Sequence, residues 1–284
     1  METWLVLSNC QTYELANSLK LLSSRFHIDA IDIWAFTKNI EKYKQELPRY
    51  FRVLLHPRFY SMDFDFSIAQ NIDFIPSISF DAYHPDICYA FSPGSVQGPM
   101  GFYHSMIVLA AYEDGLSVET TRKLFRRDVF ERCGFFARWE RERARLLKHF
   151  AEYGLDIAPC FAQWSRGEAF MYSVNHPKIR CIHDIAGSFL KRLGVEPIVS
   201  GIKPVDDFLN GACYPVYPEI AEAFGTPGSY LFKLPDEYRL ISLERFVELS
   251  FAAYSRLPPR SIQVESTFRA RYDHVKTVVV EAAR

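Results

Sequence analysis

Residues 1–22, METWLVLSNCQTYELANSLKLL, carry the pattern that decides the fold. The apolar run at residues 4–7 is typical of a buried strand, and leucines recur at helical spacing after it. The tripeptide Asn9-Cys10-Gln11 stands at the joint between the strand and the helix. Because a helix N-terminus exposes unpaired N–H groups, this joint suits a thiol of lowered pKa, an oxyanion or a phosphate. A capped helix over a buried cysteine is the alternative that the sequence leaves open.

The first hundred residues alternate between strand-like and helix-like segments. Strands are predicted near residues 3–8, 30–36, 51–55 and 73–80, and helices near 11–24 and 38–47. This alternation predicts a parallel sheet in an α/β fold, with ligands beyond the carboxyl ends of the strands. Polar loops at residues 9–11, 56–57 and 81–86 each follow a predicted strand. We therefore expect these loops to gather along one edge of the sheet.

The pattern becomes mostly helical after residue 100. Helices are predicted at residues 102–112, 117–125, 128–153, 181–194 and 242–256, and a β-like run at 277–280. The sequence thus predicts an α/β subdomain in residues 1–100 and a mainly helical part in residues 101–284. The arginine-rich helix at 128–153 is interpreted as a solvated face rather than an anion-binding wall.

The composition is that of a soluble globular protein, with 49% hydrophobic and 24% charged residues. A net charge of −1 gives no electrostatic reason to expect a nucleic-acid partner. No apolar run approaches the roughly 20 residues that span a bilayer, and no signal peptide is recognisable. The 6 cysteines show neither a CxxC pair nor a zinc-ligand spacing. We expect a cytoplasmic, metal-independent protein with reduced thiols and no membrane span.

Two histidine-containing segments follow the predicted sheet. In DAYHPD, residues 81–86, His84 is held extended by the proline after it and suits a general base, with Asp86 nearby. His104 and Ser105 open an apolar helix, where a ligand would meet them. A turn that is satisfied by its own polar groups is the alternative for His84.

A fourth polar segment lies between an aromatic run and a helix. Asn175 and His176 form a polar turn there, and Lys178 and Arg180 follow at once. The two cations suit contact with a phosphate, and a satisfied turn is again the alternative.

Taken in order, these segments resemble the WcbI-type polysaccharide-biosynthesis family. The resemblance rests on NCQ after the first strand, YHPD, HS followed by AYEDG, and FMYSVNHPK. Residues 217–225 and 229–233 also resemble the C-terminal pattern of the family, so the likeness covers roughly residues 3–235. The family usually has Gly-Asn-Cys-Gln, and Ser8 replaces that glycine here.

The resemblance implies a cradle-like fold, in which a deep cleft between an α/β part and a mostly helical part binds coenzyme A. It implies an O-acetyltransferase that moves an acyl group from acetyl-CoA to a sugar hydroxyl of a capsular or other surface polysaccharide. The partners are then acyl-CoA and a carbohydrate acceptor.

The resemblance also suggests roles for the residues. His84 or His104 would be the base, oriented by Asp86, and Cys10 would line the thiol end of CoA or, less favoured, accept the acyl group. The expected catalytic residues are Cys10, Gln11, His84 and His104, and the oxyanion or substrate contacts are Asn9, Asp86, Ser105, Asn175 and His176. The expected contacts to the CoA phosphates are Lys178, Arg180 and Lys203.

The sequence leaves two rival functions open. An SGNH-type esterase would use Ser8 or Cys10 as nucleophile, but it needs a late Asp-x-x-His pair, which Asp273-His274 does not provide. A glycan-binding component without chemistry would hold sugar in an aromatic cleft and would not bind CoA.

Overall fold

Ten strands and twelve helices form along the chain, which the computed structural model describes from residue 1 to residue 284. The strands are β1 Glu2–Ser8, β2 Phe26–Asp32, β3 Arg52–Leu55, β4 Ile72–Phe74, β5 Ile87–Cys88, β6 Ala90–Phe91, β7 His104–Ser105, β8 Leu231–Lys233, β9 Leu240–Ser242 and β10 Gln263–Val264. The helices are α1 Thr12–Leu22, α2 Ile33–Lys38, α3 Ile40–Glu46, α4 Met106–Glu113, α5 Val118–Lys123, α6 Arg127–Arg132, α7 Arg138–Ala151, α8 Ala158–Trp164, α9 Ile179–Arg192, α10 Pro218–Phe224, α11 Leu243–Tyr254 and α12 Ser266–Ala282.

Each of two units is assembled from three separate segments of the chain. The first unit consists of Met1–Ser79, Ala144–Ser165 and Asn175–Asp207. The second unit consists of Phe80–Arg143, Arg166–Val174 and Phe208–Arg284. The division at residue 100 that the sequence suggests stays a prediction.

The first unit is built on a four-stranded parallel sheet in the order β2-β1-β3-β4. β1 is an inner strand, and its register pairs Leu5 with Asp29 on one side and with Val53 on the other. Leu5 and Leu7 pack with Phe36 in a hydrophobic cluster on one face of the sheet. The predicted α/β fold with a parallel N-terminal sheet is confirmed.

The other face of the sheet is covered by α1 and α9, which pack against each other. Trp4 of β1 is buried there and makes an edge-to-face contact with Phe189 of α9, with ring centroids 6.3 Å apart. Because both faces of the sheet are covered, β1 is apolar throughout its middle rather than alternating.

The second strand and its following helix differ from the sequence prediction. The strand predicted at residues 30–36 lies at Phe26–Asp32 instead, and a short helix begins at Ile33. The side chain of Asp32 accepts a 2.8 Å hydrogen bond from the backbone N–H of Ala35 and so caps this helix. The strand ends at Asp32 because this residue caps the following helix, and the apolar run at residues 30–36 gave no sign of this end.

The long helix predicted at residues 128–153 was wrong, because the chain forms two helices there, α6 and α7. Gly134 has a φ of +72°, which ends α6 in a left-handed turn. The N–H of Phe135 then donates to the carbonyl of Phe130 at 3.0 Å, which closes that turn.

The prediction of a β-like run at residues 277–280 was also wrong, because these residues lie inside α12. Val275, Val278 and Val279 are buried at helical spacing, and α12 packs against α4. Burial of this stripe outweighs the strand preference of valine.

The second unit is organised around α4, whose residues 106–111 are all buried. α11 and α12 pack against α4, and three two-stranded ladders join β5 to β7, β6 to β10 and β8 to β9. No helix of the protein is both long and apolar enough to cross a bilayer.

Candidate functional site

The loop between β1 and α1 is held in one conformation by Asn9. Its side-chain Oδ1 accepts from the backbone N–H of Gln11 at 3.0 Å, and its carbonyl accepts from the hydroxyl of Thr12 at 2.6 Å. Cys10 lies between these anchors at the carboxyl end of β1 and is half-buried. The sequence therefore places the thiol at the predicted joint of strand and helix.

Gln11 ties this loop to two distant parts of the first unit. Its Nε2 donates to the carbonyl of Ile78 at 2.8 Å and to the carbonyl of Asn175 at 2.9 Å. Its Oε1 accepts from the N–H of Ile78 at 3.0 Å. Both amide hydrogens are thus used inside the protein, and the geometry of Gln11 is that of a clamp rather than of a donor to substrate.

The segment after β4 supplies a residue that sequence analysis missed. The strand predicted at 73–80 ends at Phe74, and Pro76 lies in the extended segment that follows. Ser77 in that segment accepts from Nδ2 of Asn9 at 3.0 Å and lies 3.0 Å from Nε2 of His56.

The protonation of His56 decides what Ser77 can do. Nδ1 of His56 accepts from the backbone N–H of Arg58 at 3.2 Å, so the neutral ring carries its hydrogen on Nε2. Burial, together with the nearby charges of His149 and Arg58, lowers the pKa of His56 to about 4. Ser77 therefore accepts from both Asn9 and His56, and its own hydroxyl hydrogen is left to donate to another acceptor.

The electrostatics at Cys10 differ from the expected activated thiol. Burial and the negative charge of Glu14 raise the pKa of the Cys10 thiol to about 12. These effects outweigh the favourable end of the α1 dipole, which acts only over the first turn. At neutral pH Cys10 is a thiol and not a thiolate.

The predicted polar turn at residues 175–177 leads into α9, which begins at Ile179. The carbonyl of Asn175 accepts from Gln11, which links this turn to the β1–α1 loop. Burial lowers the pKa of His176 to about 4. Nη2 of Arg180 donates to the carbonyl of Trp164 at 3.2 Å, so one of the N–H groups of its guanidinium is engaged in a hydrogen bond within the protein.

Lys203 lies in a different part of the first unit. It lines a cavity of about 320 Å³ together with His183 and Lys191 of α9. Lys178 and Arg180 do not line that cavity. The three predicted cations are therefore not brought to a single cavity.

His84 lies in the second unit and keeps one nitrogen unused. Its Nε2 donates to the carbonyl of Tyr214 at 3.0 Å, whereas Nδ1 is buried without a hydrogen-bond partner. Burial lowers the pKa of His84 to about 4. The neutral ring thus has a free lone pair on Nδ1.

His104 has partners at both ring nitrogens. Nδ1 accepts from the hydroxyl of Tyr254 at 3.0 Å, and Nε2 donates to the carbonyl of Val96 at 3.1 Å. The ring is buried, and its pKa is lowered to about 4 by that burial. Its contacts are those of a packed core histidine.

Asp86 and Ser105 cap α4 in the same unit. Asp86 accepts from the N–H of Ile107 and from the hydroxyl of Tyr217, both at 2.9 Å, and Ser105 accepts from the N–H of Val108 at 3.1 Å. Burial raises the pKa of Asp86 to about 6. The carboxylate is occupied by these partners rather than by either imidazole.

The predicted residues thus fall into two groups. The first unit contains Asn9, Cys10, Gln11, Asn175, His176, Lys178, Arg180 and Lys203. The second unit contains His84, Asp86, His104 and Ser105. The sequence analysis noted the loop at residues 56–57 after a predicted strand but gave His56 no role. Ser77 fell inside the strand predicted at residues 73–80, so no signal in the sequence pointed to it. No group of three or more His, Cys, Asp or Glu side chains is placed to hold a metal ion.

Comparison with known proteins gives two findings. A family model described as "Polysaccharide biosynthesis enzyme WcbI" matches residues 3–198. A solved structure, described as WcbI, a novel polysaccharide biosynthesis enzyme, in its native form without a disulfide bond between CoA and a cysteine, matches with a TM-score of 0.72. It is 17% identical, and the match covers 100% of this chain and 98% of the other, which shows a shared fold. No curated protein matches the sequence.

Proposed function

This chain belongs to the WcbI family of polysaccharide biosynthesis enzymes, and we propose that it transfers the acetyl group of acetyl-CoA to a sugar hydroxyl of a capsular or other surface polysaccharide. The observation that carries the proposal is the hydrogen-bonded loop that contains Cys10, in which the neighbouring Asn9 accepts from the N–H of Gln11 and donates to the hydroxyl of Ser77. The description of the related structure names CoA and a cysteine, in a form without a disulfide bond between them, and this mention supports looking for the CoA sulfur near Cys10. The supply of acetyl-CoA favours a cytoplasmic reaction.

Attack of a hydroxyl on a thioester develops negative charge on the carbonyl oxygen. A pre-organised donor to that oxygen lowers the barrier. Ser77 fits this need, because Asn9 and His56 occupy its acceptor sites and leave only its hydrogen to offer. We assign Ser77 as an oxyanion donor, with Asn9 and Gln11 holding the loop in place.

Cys10 is assigned to the wall around the CoA sulfur. A thiol with a pKa of about 12 is a poor nucleophile at neutral pH, so direct transfer to the sugar is favoured over an acyl-cysteine. The predicted role of Cys10 as an acyl acceptor is the less supported of the two.

Of the two imidazoles expected to act as base, we propose His84. Its Nδ1 lone pair is free, whereas both nitrogens of His104 already have partners. For the phosphates of CoA we keep Lys178, Arg180 and Lys203 as the proposed contacts.

The pairing of His56 with Ser77 bears on the esterase alternative. A serine nucleophile needs an unprotonated nitrogen to take its hydrogen. In this pair the imidazole nitrogen facing Ser77 carries the hydrogen itself, because Nδ1 accepts from Arg58. The pair therefore does not favour a hydrolase.

The proposal is tested by incubating the purified protein with acetyl-CoA and a panel of monosaccharides and nucleotide sugars. Release of free CoA together with a sugar that has gained one acetyl group is the expected result. Release of CoA with acetate but no acetylated sugar would favour the esterase. Sugar binding with no CoA release and no CoA affinity would favour a glycan-binding component.

A further inference from the structure

Glu14 is a buried acid on α1 that the proposed reaction has not yet used. It lies in the first turn of α1 and is only 6% exposed. Its Oε2 atom is buried with no hydrogen-bond partner. The hydroxyl of Ser18, one turn further along α1, is likewise buried without a partner. Two unpartnered polar groups on one helix face are uncommon in a folded core and point to a function.

The ordinary structural role of a glutamate at this position is not available to Glu14. Three residues after an N-cap, a glutamate usually accepts from the backbone N–H of the capping residue. Here the capping residue is Gln11, and its N–H already donates to Asn9 Oδ1 at 3.0 Å. Glu14 is therefore not engaged in a capping box.

The surroundings of Glu14 favour a proton on its carboxyl group. Burial is the largest cause, a hydrogen bond with the backbone of Glu14 itself opposes it in part, and the charges of Asp207 and Asp206 add to it, so that its pKa is raised to about 7. The other titratable groups that interact with Glu14 are the thiol of Cys10 before the helix and the hydroxyl of Tyr13 on it. Glu14 is thus electrostatically coupled to the thiol that we place beside the CoA sulfur.

We propose that Glu14 is a catalytic acid of the acetyl transfer, which protonates the sulfur that leaves as the thioester is broken. The inference rests on the proposed function, and its observations are the burial of Glu14, the unpartnered Oε2 and its position in the first turn of α1, directly after the loop that contains Cys10.

The step balances without a further reactant. The sugar oxygen forms a bond to the acyl carbon, and its hydrogen goes to the base. The bond between that carbon and sulfur breaks, and its electron pair stays on sulfur. The carboxyl group of Glu14 gives its proton to this thiolate, which leaves as the thiol of CoA. The base then releases its proton to solvent, and solvent returns a proton to Glu14.

Glu14→Gln is the main variant, because it keeps the size of the side chain and removes only the carboxyl group that can donate and accept the proton. Glu41→Gln is the matched control, since Glu41 lies in the first turn of α3 in the same unit and is exposed. We expect Glu14→Gln to lower kcat on the order of 10²-fold and to leave KM for acetyl-CoA unchanged. The wild-type rate should fall above about pH 7 as Glu14 loses its proton, and this fall should be absent in Glu14→Gln. Glu41→Gln should match the wild type.

A second readout needs no sugar acceptor. The rate at which iodoacetamide alkylates Cys10 is followed by mass spectrometry of the peptide that contains it. Removing the charge of Glu14 should make this thiol react several-fold faster at pH 8, because Glu14 raises its pKa.

The outcomes separate this inference from the proposed function. If the wild type transfers acetyl groups and Glu14→Gln keeps both the rate and the pH profile of the control, the assignment of Glu14 is overturned. An unchanged alkylation rate of Cys10 in Glu14→Gln would also overturn it. If the wild type neither binds nor consumes acetyl-CoA, the proposed function itself has failed.

Discussion

Cys10 shows how two local effects compete at a single residue. The positive end of α1 should stabilise a thiolate, but burial and the charge of Glu14 oppose it and prevail. A position at a helix N-terminus is therefore not enough to activate a cysteine. The side chains within one turn decide whether the thiol ionises.

Replacement of Cys10 by alanine is expected to leave measurable transfer. Because we propose that the neutral thiol only lines the site, we expect the acetyl-transfer rate to fall by less than about 10-fold. Kinetics with acetyl-CoA and intact-mass analysis of the protein check this. A complete loss of turnover, together with an acetylated Cys10 in the wild type, would instead establish the two-step mechanism.

Ser77→Ala is expected to damage the reaction far more than binding. Loss of one oxyanion donor should lower kcat on the order of 10²–10³-fold while the affinity for acetyl-CoA is kept. Ser67→Ala, at an exposed position in the same unit, is the control and should change neither. Equal kcat values for the two variants would contradict the assignment of Ser77.

At the scale of elements, the β1–α1 loop depends on Gln11. The three hydrogen bonds of its amide join this loop to the segment after β4 and to the turn before α9. Their loss leaves the buried N–H and carbonyl of Ile78 without partners, which is costly. The loop is therefore stabilised by contacts from outside its own stretch of sequence.

Gln11→Ala is expected to lower the free energy of unfolding by roughly 3 kcal/mol, as measured by urea denaturation. Gln70→Ala is the control, because Gln70 makes a single exposed hydrogen bond to the carbonyl of Pro48. We expect that variant to lie within about 0.5 kcal/mol of the wild type. A similar small effect for Gln11→Ala would show that the clamp is dispensable.

The elements also show which parts of the fold a single sequence can predict. β1 and α1 are predictable, because an apolar run and a leucine stripe are local signals. The start of α2 at Ile33 depends on the capping contact of Asp32, and helical valines in α12 depend on packing against α4. Both involve partners that periodicity does not reveal.

The site follows the same rule. The joint at Asn9-Cys10-Gln11 was predictable from the change of pattern along the chain. The contacts of Gln11 with Ile78 and Asn175 join residues that are 67 and 164 positions apart. Ser77 was missed, because the role that we propose for it follows from its hydrogen bonds with Asn9 and His56 and not from its own neighbours in sequence.

At the scale of the whole molecule, buried histidines predict sensitivity to acid. Four imidazoles have a pKa lowered from 6.5 to about 4 by burial, namely His56, His84, His104 and His176. Between these values the unfolded chain binds protons that the folded chain does not. Stability is therefore lost as the pH falls from about 6.5 towards 4.

Two carboxyl groups oppose this trend in part. The pKa of Glu14 is raised to about 7 and that of Asp86 to about 6, so the folded chain binds protons there over the same window. The net uptake on unfolding near pH 5.5 is about two protons, which corresponds to a loss of about 3 kcal/mol per pH unit. Urea denaturation at pH 6.5, 6 and 5 measures this slope. A free energy of unfolding that stays level or rises over this range would contradict the burial of these rings.

The proposed reaction requires that the chain bind acetyl-CoA with its sulfur beside Cys10. The most direct measurement is calorimetric titration of the purified protein with acetyl-CoA and with CoA. We expect saturable binding of both in the micromolar range, with altered affinity for CoA in Cys10→Ala. Absence of binding to either ligand at millimolar concentration would contradict the account.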